Sequence, residues 1–245
     1  MVVHGTDTMV YTASAISFAL HESRKQIVLT GSQIPIKYHN SDGYLNLYCS
    51  RIVLKKGDFS GVYIVFYRDE RSAYILRGTR TRKVDAIGKR AFISDRPFGV
   101  VYMNGKIEIN SREYVKKGDY LGELYDKFDE KVVLVKASPT MSKILENLDD
   151  VNGIVIEGYG TGNFDRESLK LLKKLIKDGV KVVVTSQCKY AEAIYPNSIE
   201  LKRVGAIYAK NMITEVAYVK LSWLIGNFGL DSVESNFFKT YHYEL

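Results

Sequence analysis

Cysteine is scarce, and no long apolar run is present. The 245 residues hold two cysteines, Cys49 and Cys188, too few for a disulfide scaffold and without a metal-type spacing. They read as reduced, partly buried thiols of a reducing compartment. No stretch reaches the ~18 continuous apolar residues of a membrane-spanning helix, so no membrane partner is expected. The opening Met1-Val2-Val3-His4-Gly5 has no basic segment followed by an apolar core, so no signal peptide is visible and the chain reads as cytoplasmic. Neither GxxxxGK[ST] nor GxGxxG occurs, which disfavours nucleotide phosphate binding. Neither sign of charge dominates. Lys plus Arg number 35 against 28 Asp plus Glu, a net charge of +7. That balance permits an anionic partner without implying one, and its even spread reads as a Lys-rich surface with no nucleic acid expected. With 46% hydrophobic and 26% charged residues the composition is that of an ordinary globular chain, not a disordered or collagen-like one.

What is present is an alternation of strands and helices. Val2-Val3 reads as the tail of a strand, followed by an amphipathic run from Met9 to Glu22 with Met9, Ala13, Ile16 and Leu20 on one face. Gln26 to Thr30 reads as a buried strand, Gly43 to Lys56 as a helix and Gly61 to Phe66 as a further strand. This β-α-β-α-β order predicts a parallel sheet with helices on both faces, a three-layer α/β domain. From Arg68 to about Glu113 short strands and turns dominate, and Asn104-Gly105 predicts a type I′ hairpin. Lys116 to Lys127, charged and Gly-containing, reads as a linker. A second, smaller α/β series follows, with strands at Val132–Val135, Ile154–Ile156 and Val180–Thr185. Its helices are expected at Met141–Leu148, Ser168–Lys177 and Thr214–Ile225. The boundaries are 1–115, a linker at 116–128, and 129–245. Because the chain opens on a strand tip, that strand either lies at a sheet edge or has neighbours upstream.

Polar residues collect at the strand tips, where parallel sheets bind ligands. His4-Gly5-Thr6-Asp7-Thr8-Met9 is the tightest cluster. Thr6, Asp7 or Thr8 could simply cap the following helix. Alternatively a hydroxyl there contacts substrate or water, and a neighbouring carboxylate grips an ammonium group. Thr30-Gly31-Ser32-Gln33-Ile34-Pro35 repeats the pattern at the next strand, and Asn40-Ser41-Asp42-Gly43 reads as a helix cap. Two such tips in succession suggest a pocket for a small polar ligand. Arg77-Gly78-Thr79-Arg80-Thr81-Arg82-Lys83 reads either as a solvated or anion-binding basic loop, or as a segment whose lysine folds back beside Thr6 and Asp7.

Taken together these segments resemble the bacterial-type L-asparaginase family, in its type I, cytoplasmic branch. The His4-to-Met9 hexapeptide, Thr30-Gly31-Ser32-Gln33 and Ser41-Asp42-Gly43 carry the likeness. So does Gly78-x-Arg80-x-x-Lys83 with Ala91-Phe92, which is also similar to the related archaeal subunit for glutamine-dependent amidation of Glu-tRNA. In the second half Glu157-Gly158-Tyr159-Gly160-Thr161-Gly162-Asn163, Thr185-Ser186-Gln187-Cys188 and Met212-Ile213-Thr214-Glu215 match further landmarks in the right order.

The resemblance implies a cofactor-free and metal-free amidohydrolase that converts L-asparagine, and less readily L-glutamine, to the acid and ammonia through a Thr acyl-enzyme. It places Thr6, Asp7 and Lys83 in one catalytic group, with Lys83, held by Asp7, moving protons through the Thr6 hydroxyl. Asp7, Ser32 and Asn163 are the implied substrate-binding residues, and Asn163 reaching a neighbouring subunit implies a homodimer or homotetramer. The family's Thr-Gly-Gly-Thr-Ile motif, whose first Thr is the nucleophile, is not in this sequence, and Arg90 stands where an Asp is usual. The first domain is therefore expected to be incomplete at its start by two βα units, at about 30 residues each. Three outcomes follow: an enzyme whose preceding segment is upstream or on a partner chain, an inactive chain that keeps the fold, or an amidotransferase subunit supplying ammonia for Gln-tRNA synthesis. Sequencing about 300 nucleotides of genomic DNA upstream of the Met1 codon, room for two such units, separates these outcomes: an in-frame Thr-Gly-Gly-Thr-Ile there would point to an enzyme with a misplaced start. Stop codons without that motif would point to a partner-dependent or inactive chain.

Overall fold

The computed structural model describes residues 1–110 and 114–245, so the expected end of the short-strand region at Glu113 lies outside the described residues. The chain forms two compact units, Met1–Tyr125 with Tyr241–Glu244, and Asp126–Thr240. In the first, strands β1 (Val2–Val3), β2 (Gln26–Thr30) and β3 (Gly61–Asp69) alternate with helices α1 (Met9–Ala19) and α2 (Gly43–Lys56). The three strands are parallel, with Val3 opposite Thr30 and Leu29 opposite Ile64. Val28 and Leu29 of β2 and Val62–Phe66 of β3 are buried, as strands covered on both faces require, whereas Val3 of β1 is exposed. Helix α1 stops at Ala19, short of Glu22, as the His21 ring turns back and donates from Nδ1 to the Phe18 carbonyl (2.9 Å).

The parallel order ends at Asp69. Glu70 and Arg71 leave no length for a crossover, so β4 (Ser72–Arg77) returns antiparallel on β3. Strands β5 (Arg82–Lys83) and β6 (Phe92–Ile93) pair as a separate antiparallel ribbon. Strands β7 (Gly99–Tyr102) and β8 (Ile107–Ile109) complete a mixed six-stranded sheet in the order β1-β2-β3-β4-β7-β8, with β1 at one end. The parallel order expected of the β-α-β-α-β series is present in β1, β2 and β3, and the short-strand region adds the antiparallel strands.

The β7–β8 hairpin is not type I′. Gly105 has φ +90° but Asn104 does not enter the left-handed region, and Tyr102 N–H bonds to Lys106 O across a three-residue loop. Met103 joins the loop, and Gly105 serves as the left-handed residue of a bulged hairpin. Behind the sheet, α2 supplies Cys49, Ile52 and Val53 to a core with Val28, Tyr63, Val65 and Ile75. Phe59, Tyr63 and Phe98 pack there with ring centroids 4.8–5.0 Å apart, each burial worth roughly 1.5–3 kcal/mol.

Residues Tyr241–Glu244 also belong to the first unit. The Glu244 carboxylate accepts the backbone N–H groups of Tyr241 (3.0 Å) and His242 (2.7 Å), and Thr79 Oγ1 donates to the His242 carbonyl (2.6 Å). The Tyr243 ring lies 3.8 Å from the Arg77 guanidinium. The imidazole of His242 is buried over Gly61, where φ is +113° and any Cβ would come within 2.9 Å of that ring.

The second unit holds β9 (Val132–Lys136), α3 (Met141–Leu145), β10 (Gly153–Gly158), α4 (Arg166–Lys177) and β11 (Lys181–Ser186). After these come α5 (Pro196–Arg203), β12 (Ile207–Tyr208), α6 (Thr214–Phe228) and α7 (Val233–Asn236). Its four strands are all parallel, in the order β12-β11-β10-β9. Helix α4 starts two residues before the expected Ser168 because the Asp165 carboxylate caps it, accepting from Ser168 N–H at 2.8 Å. Helix α5 has no forerunner in the sequence pattern: Ser198 and Leu201 are its buried residues, too thin an apolar stripe to show there.

Cys49 is buried as expected, whereas Cys188 is exposed, and both are free thiols. Among the described residues no helix is long and apolar enough to cross a membrane, and no group of three or more His, Cys, Asp or Glu side chains could hold a metal.

Burial lowers the His242 pKa from 6.5 to about 4; Arg77 and His21 add to the drop and Glu244 opposes it. Between those values the unfolded chain takes up a proton that the folded one refuses. The contribution of His242 to stability is therefore fully present above about pH 6.5 and is lost as the pH falls toward 4. His242→Gln is expected to narrow the difference in urea midpoint between those two pH values; an unchanged difference would assign the acid sensitivity to other groups.

Candidate active site

Strands β1 and β2 end side by side, and the residues that follow them face each other beyond the carboxyl ends. His4 N–H continues the ladder to Thr30 O (2.8 Å). A Cβ at Gly31 would overlap the His4 carbonyl oxygen, so glycine lets the two tips approach. The His4 ring fixes the first tip. Its Nδ1 lies 2.7 Å from Gly5 O and its Nε2 3.0 Å from Thr12 Oγ1, the arrangement of an Nδ1–H tautomer that accepts the Thr12 proton.

Thr8 occupies the N-cap position of α1, yet no side chain caps this helix. Capping therefore does not account for Thr6 and Asp7. Both side chains turn to Lys83: its Nζ donates to Thr6 Oγ1 at 2.8 Å and makes a short ion pair with Asp7 Oδ1. The lysine comes from β5, whose pairing of Lys83 with Phe92 holds it across from the strand tips. The Lys83 side chain is 18% exposed and that of Asp7 90% exposed. An ion pair so open to water contributes at most about 1 kcal/mol to stability. Its consequence is positional: an amine is held against a hydroxyl, the arrangement for moving a proton to or from that oxygen.

The rest of the basic segment is not a solvated loop. Arg80 is buried in a bidentate pair with Asp95, Nε to Oδ1 at 3.2 Å and Nη2 to Oδ2 at 2.8 Å. Arg77 is buried against the Tyr243 and Phe98 rings. Arg90 donates from Nε to the Arg68 carbonyl (2.6 Å). Asp85, two residues beyond Lys83, accepts the N–H groups of Ile87 and Gly88, each at 2.8 Å, and these bonds hold its carboxyl below the usual carboxylate range.

Ser32 follows β2, one strand over, with its Cβ 3.2 Å from where a Cβ at Gly43 would lie. Among the described residues no hydrogen bond joins it to Thr6, Asp7 or Lys83. Within the Asn40-to-Gly43 segment read as a helix cap, Asp42 occupies the N-cap position of α2 but does not cap it with its side chain. It is buried, and its carboxylate accepts the backbone N–H groups of Gln33 and Ile34 and the side-chain amide of Asn46. The sequence does not single out Gln33, whose Nε2 donates to the Asp85 carbonyl at 3.2 Å; a Gln at a strand tip carries no signal of a partner 52 positions away.

Asn163 lies in the second unit, in the turn after β10. Tyr159 and Asn163 exchange backbone hydrogen bonds at 2.8 Å in both directions, with Gly160 at φ +48° and Gly162 at φ +97°. The Oδ1 of Asn163 is buried without a hydrogen-bond partner among the described residues. Nearby, Thr185 Oγ1 and Thr214 Oγ1 are 2.9 Å apart, and Thr214 donates to Glu157 Oε1 at 3.3 Å.

Comparison with known proteins follows the same division. Residues 1–114 match the family described as asparaginase, N-terminal, and residues 131–235 the glutaminase/asparaginase C-terminal domain. The chain is 38% identical over 237 residues to a glutamyl-tRNA(Gln) amidotransferase subunit of Pyrococcus abyssi, covering 93% of this chain and 54% of that one. The corresponding amidotransferase subunit of Aeropyrum pernix is 34% identical, over 92% of this chain and 56% of its own. The chain thus spans about half the length of these curated relatives. Among solved structures, the thermostable L-asparaginase from Thermococcus kodakarensis superposes with a TM-score of 0.85 at 28% identity. The match covers 99% of this chain and 74% of that one. L-asparaginase I from Vibrio cholerae gives 0.82 at 29% identity, with the same coverage.

Proposed function

The chain belongs to the asparaginase family, and from that premise we propose that its Thr6–Lys83–Asp7 group serves hydrolysis of the side-chain amide of L-asparagine. L-glutamine is the second substrate of the proposal. The observation that carries it is the Lys83 amine on the Thr6 hydroxyl, with Asp7 bound to the same nitrogen. In the proposed reaction a threonine oxygen attacks the amide carbon and its proton passes by way of Thr6 and Lys83 to the departing nitrogen. The C–N bond breaks and ammonia leaves an acyl-threonine ester. Water then attacks the ester, gives up a proton through the same pair, and releases L-aspartate.

Asp7, open to solvent, binds the α-ammonium of the substrate by a charge-assisted contact. Ser32 lines the amide end of the pocket, and Asn163 reaches the site of a second copy in a homodimer or homotetramer. The attacking threonine of the proposal belongs to a Thr-Gly-Gly-Thr-Ile segment, which is not among these 245 residues. The test measures ammonia release from L-asparagine by the chain alone and with a polypeptide that supplies the segment. Little release is expected from the chain alone and hydrolysis once the segment is supplied. Lys83→Met is then expected to cost roughly 10²–10⁴-fold in rate, the worth of a positioned proton-transfer group. Turnover unchanged in Lys83→Met would overturn the proposal.

A second reading rests on the sequence relatives, which bear the name of an amidotransferase subunit. In it the same site releases ammonia for use on Glu-tRNA. Adding a partner subunit and tRNA is expected to raise ammonia release; an unchanged rate favours free-standing hydrolysis.

A further inference from the structure

A ribbon of two residues per strand cannot hold a catalytic side chain in place by its own ladder, since even longer isolated hairpins are marginal in water. Lys83 sits on such a ribbon. On one side β5 is fixed by β6 and by Val84 N–H to Ala91 O (2.8 Å). On the other side a side chain reaches it from the second strand tip: Gln33, whose Nε2 donates to the Asp85 carbonyl at 3.2 Å.

Gln33 is itself anchored. Its backbone N–H lies 3.0 and 3.1 Å from the two carboxylate oxygens of Asp42, and Ile34 N–H lies 2.9 Å from Oδ1. Asp42 is 1% exposed. Burying a carboxylate is costly unless its oxygens are fully hydrogen-bonded. Here Asn46 Nδ2 also donates to Oδ2 at 2.8 Å and to Gly31 O at 2.9 Å, which locks the loop to the start of α2. Ser41 Oγ completes the clamp, donating to Ile34 O at 2.6 Å and accepting from Gly43 N–H at 3.0 Å. A loop fixed by so many bonds to one buried carboxylate is a rigid post, and the Gln33 side chain ties the lysine segment to it. The proposed chemistry gives Asp42 and Gln33 no part in bond making.

We propose that Gln33 is a positioning residue for Lys83: braced by the buried Asp42 carboxylate, it holds the Asp85 end of the lysine segment so that Lys83 Nζ meets the Thr6 hydroxyl. The role assigned to Lys83 rests on the hydrolysis reading above, but the brace has a consequence that needs no turnover. A lysine held on Thr6 and Asp7 is shielded from acylating reagents, and one released from them is not.

The test is Gln33→Met in the full chain, which keeps the length of the side chain and removes its donor. Trace acetylation with acetic anhydride, read by peptide mass spectrometry, compares Lys83 with the exposed Lys143. Labelling of Lys83 is expected to rise severalfold relative to Lys143, with the thermal midpoint little changed. With the Thr-Gly-Gly-Thr-Ile segment supplied, kcat is expected to fall about tenfold while KM stays close to the unsubstituted value, the pattern of a misplaced group that does not itself bind substrate. Asp42→Asn acts one bond further back and is expected to raise Lys83 labelling in the same direction. Labelling and kcat in Gln33→Met equal to those of the unsubstituted chain would overturn the proposal and leave the hydrolysis reading standing. Raised labelling in a chain that never hydrolyses asparagine would support the brace and sink the hydrolysis reading.

Discussion

The interaction on which the site depends is the single amine of Lys83 shared between the Thr6 hydroxyl and the Asp7 carboxylate. It joins residues 76 and 77 positions apart and contributes little to stability, because Asp7 is open to water. Everything that makes it possible lies elsewhere. Parallel pairing of β1 with β2 sets the height of the first strand tip, and Gly31 lets the second tip close on it. The β5–β6 ribbon then delivers the lysine from a segment that takes no part in the main sheet. The site is thus a meeting of three backbone ends, and its precision is inherited from buried contacts around it.

Two carboxylates in this unit show the division of labour. Asp7 is exposed and its carboxylate is bound to the Lys83 amine at the edge of the site. Asp42 is buried, and its partners are backbone and side-chain amides, so its bonds order a loop. The same residue type at two neighbouring strand-to-helix junctions is given opposite tasks by exposure alone. Arg77 and Arg80 make the same point among the cations. Each is buried, Arg77 against aromatic faces and Arg80 on Asp95, while the lysine at the end of the run reaches the site.

Much of this is legible from local pattern. The β-branched runs of β2 and β3, the helix over Gly43–Lys56 and the alternating order of the second unit follow from periodicity and burial. The features that escape are those decided by partners distant in sequence. Asp42 before a helix reads as a cap, and nothing local says that its carboxylate turns to Gln33 instead. A run of arginines reads as a solvated face until Asp95 and Tyr243 arrive from elsewhere. The hairpin is where Asn-Gly puts it but of another type, because that dipeptide specifies a turn while the pairing register decides its length. Resemblance to a family is what sets Lys83 beside Thr6; spacing alone leaves a surface loop equally open.

The return of Tyr241–Glu244 to the first unit has a consequence for how the molecule is made. The hydrogen bond from Thr79 to His242 spans 163 positions, and contacts of such separation are slow to form because a long loop must close first. A ribosome delivers the first unit's sheet well before it delivers these four residues. Through that interval Arg77 lacks the aromatic face of Tyr243, and Gly61 lies uncovered by the imidazole that later fills the space above it. The nascent first unit is therefore a vessel without its stopper, and its final packing waits on the arrival of these four residues.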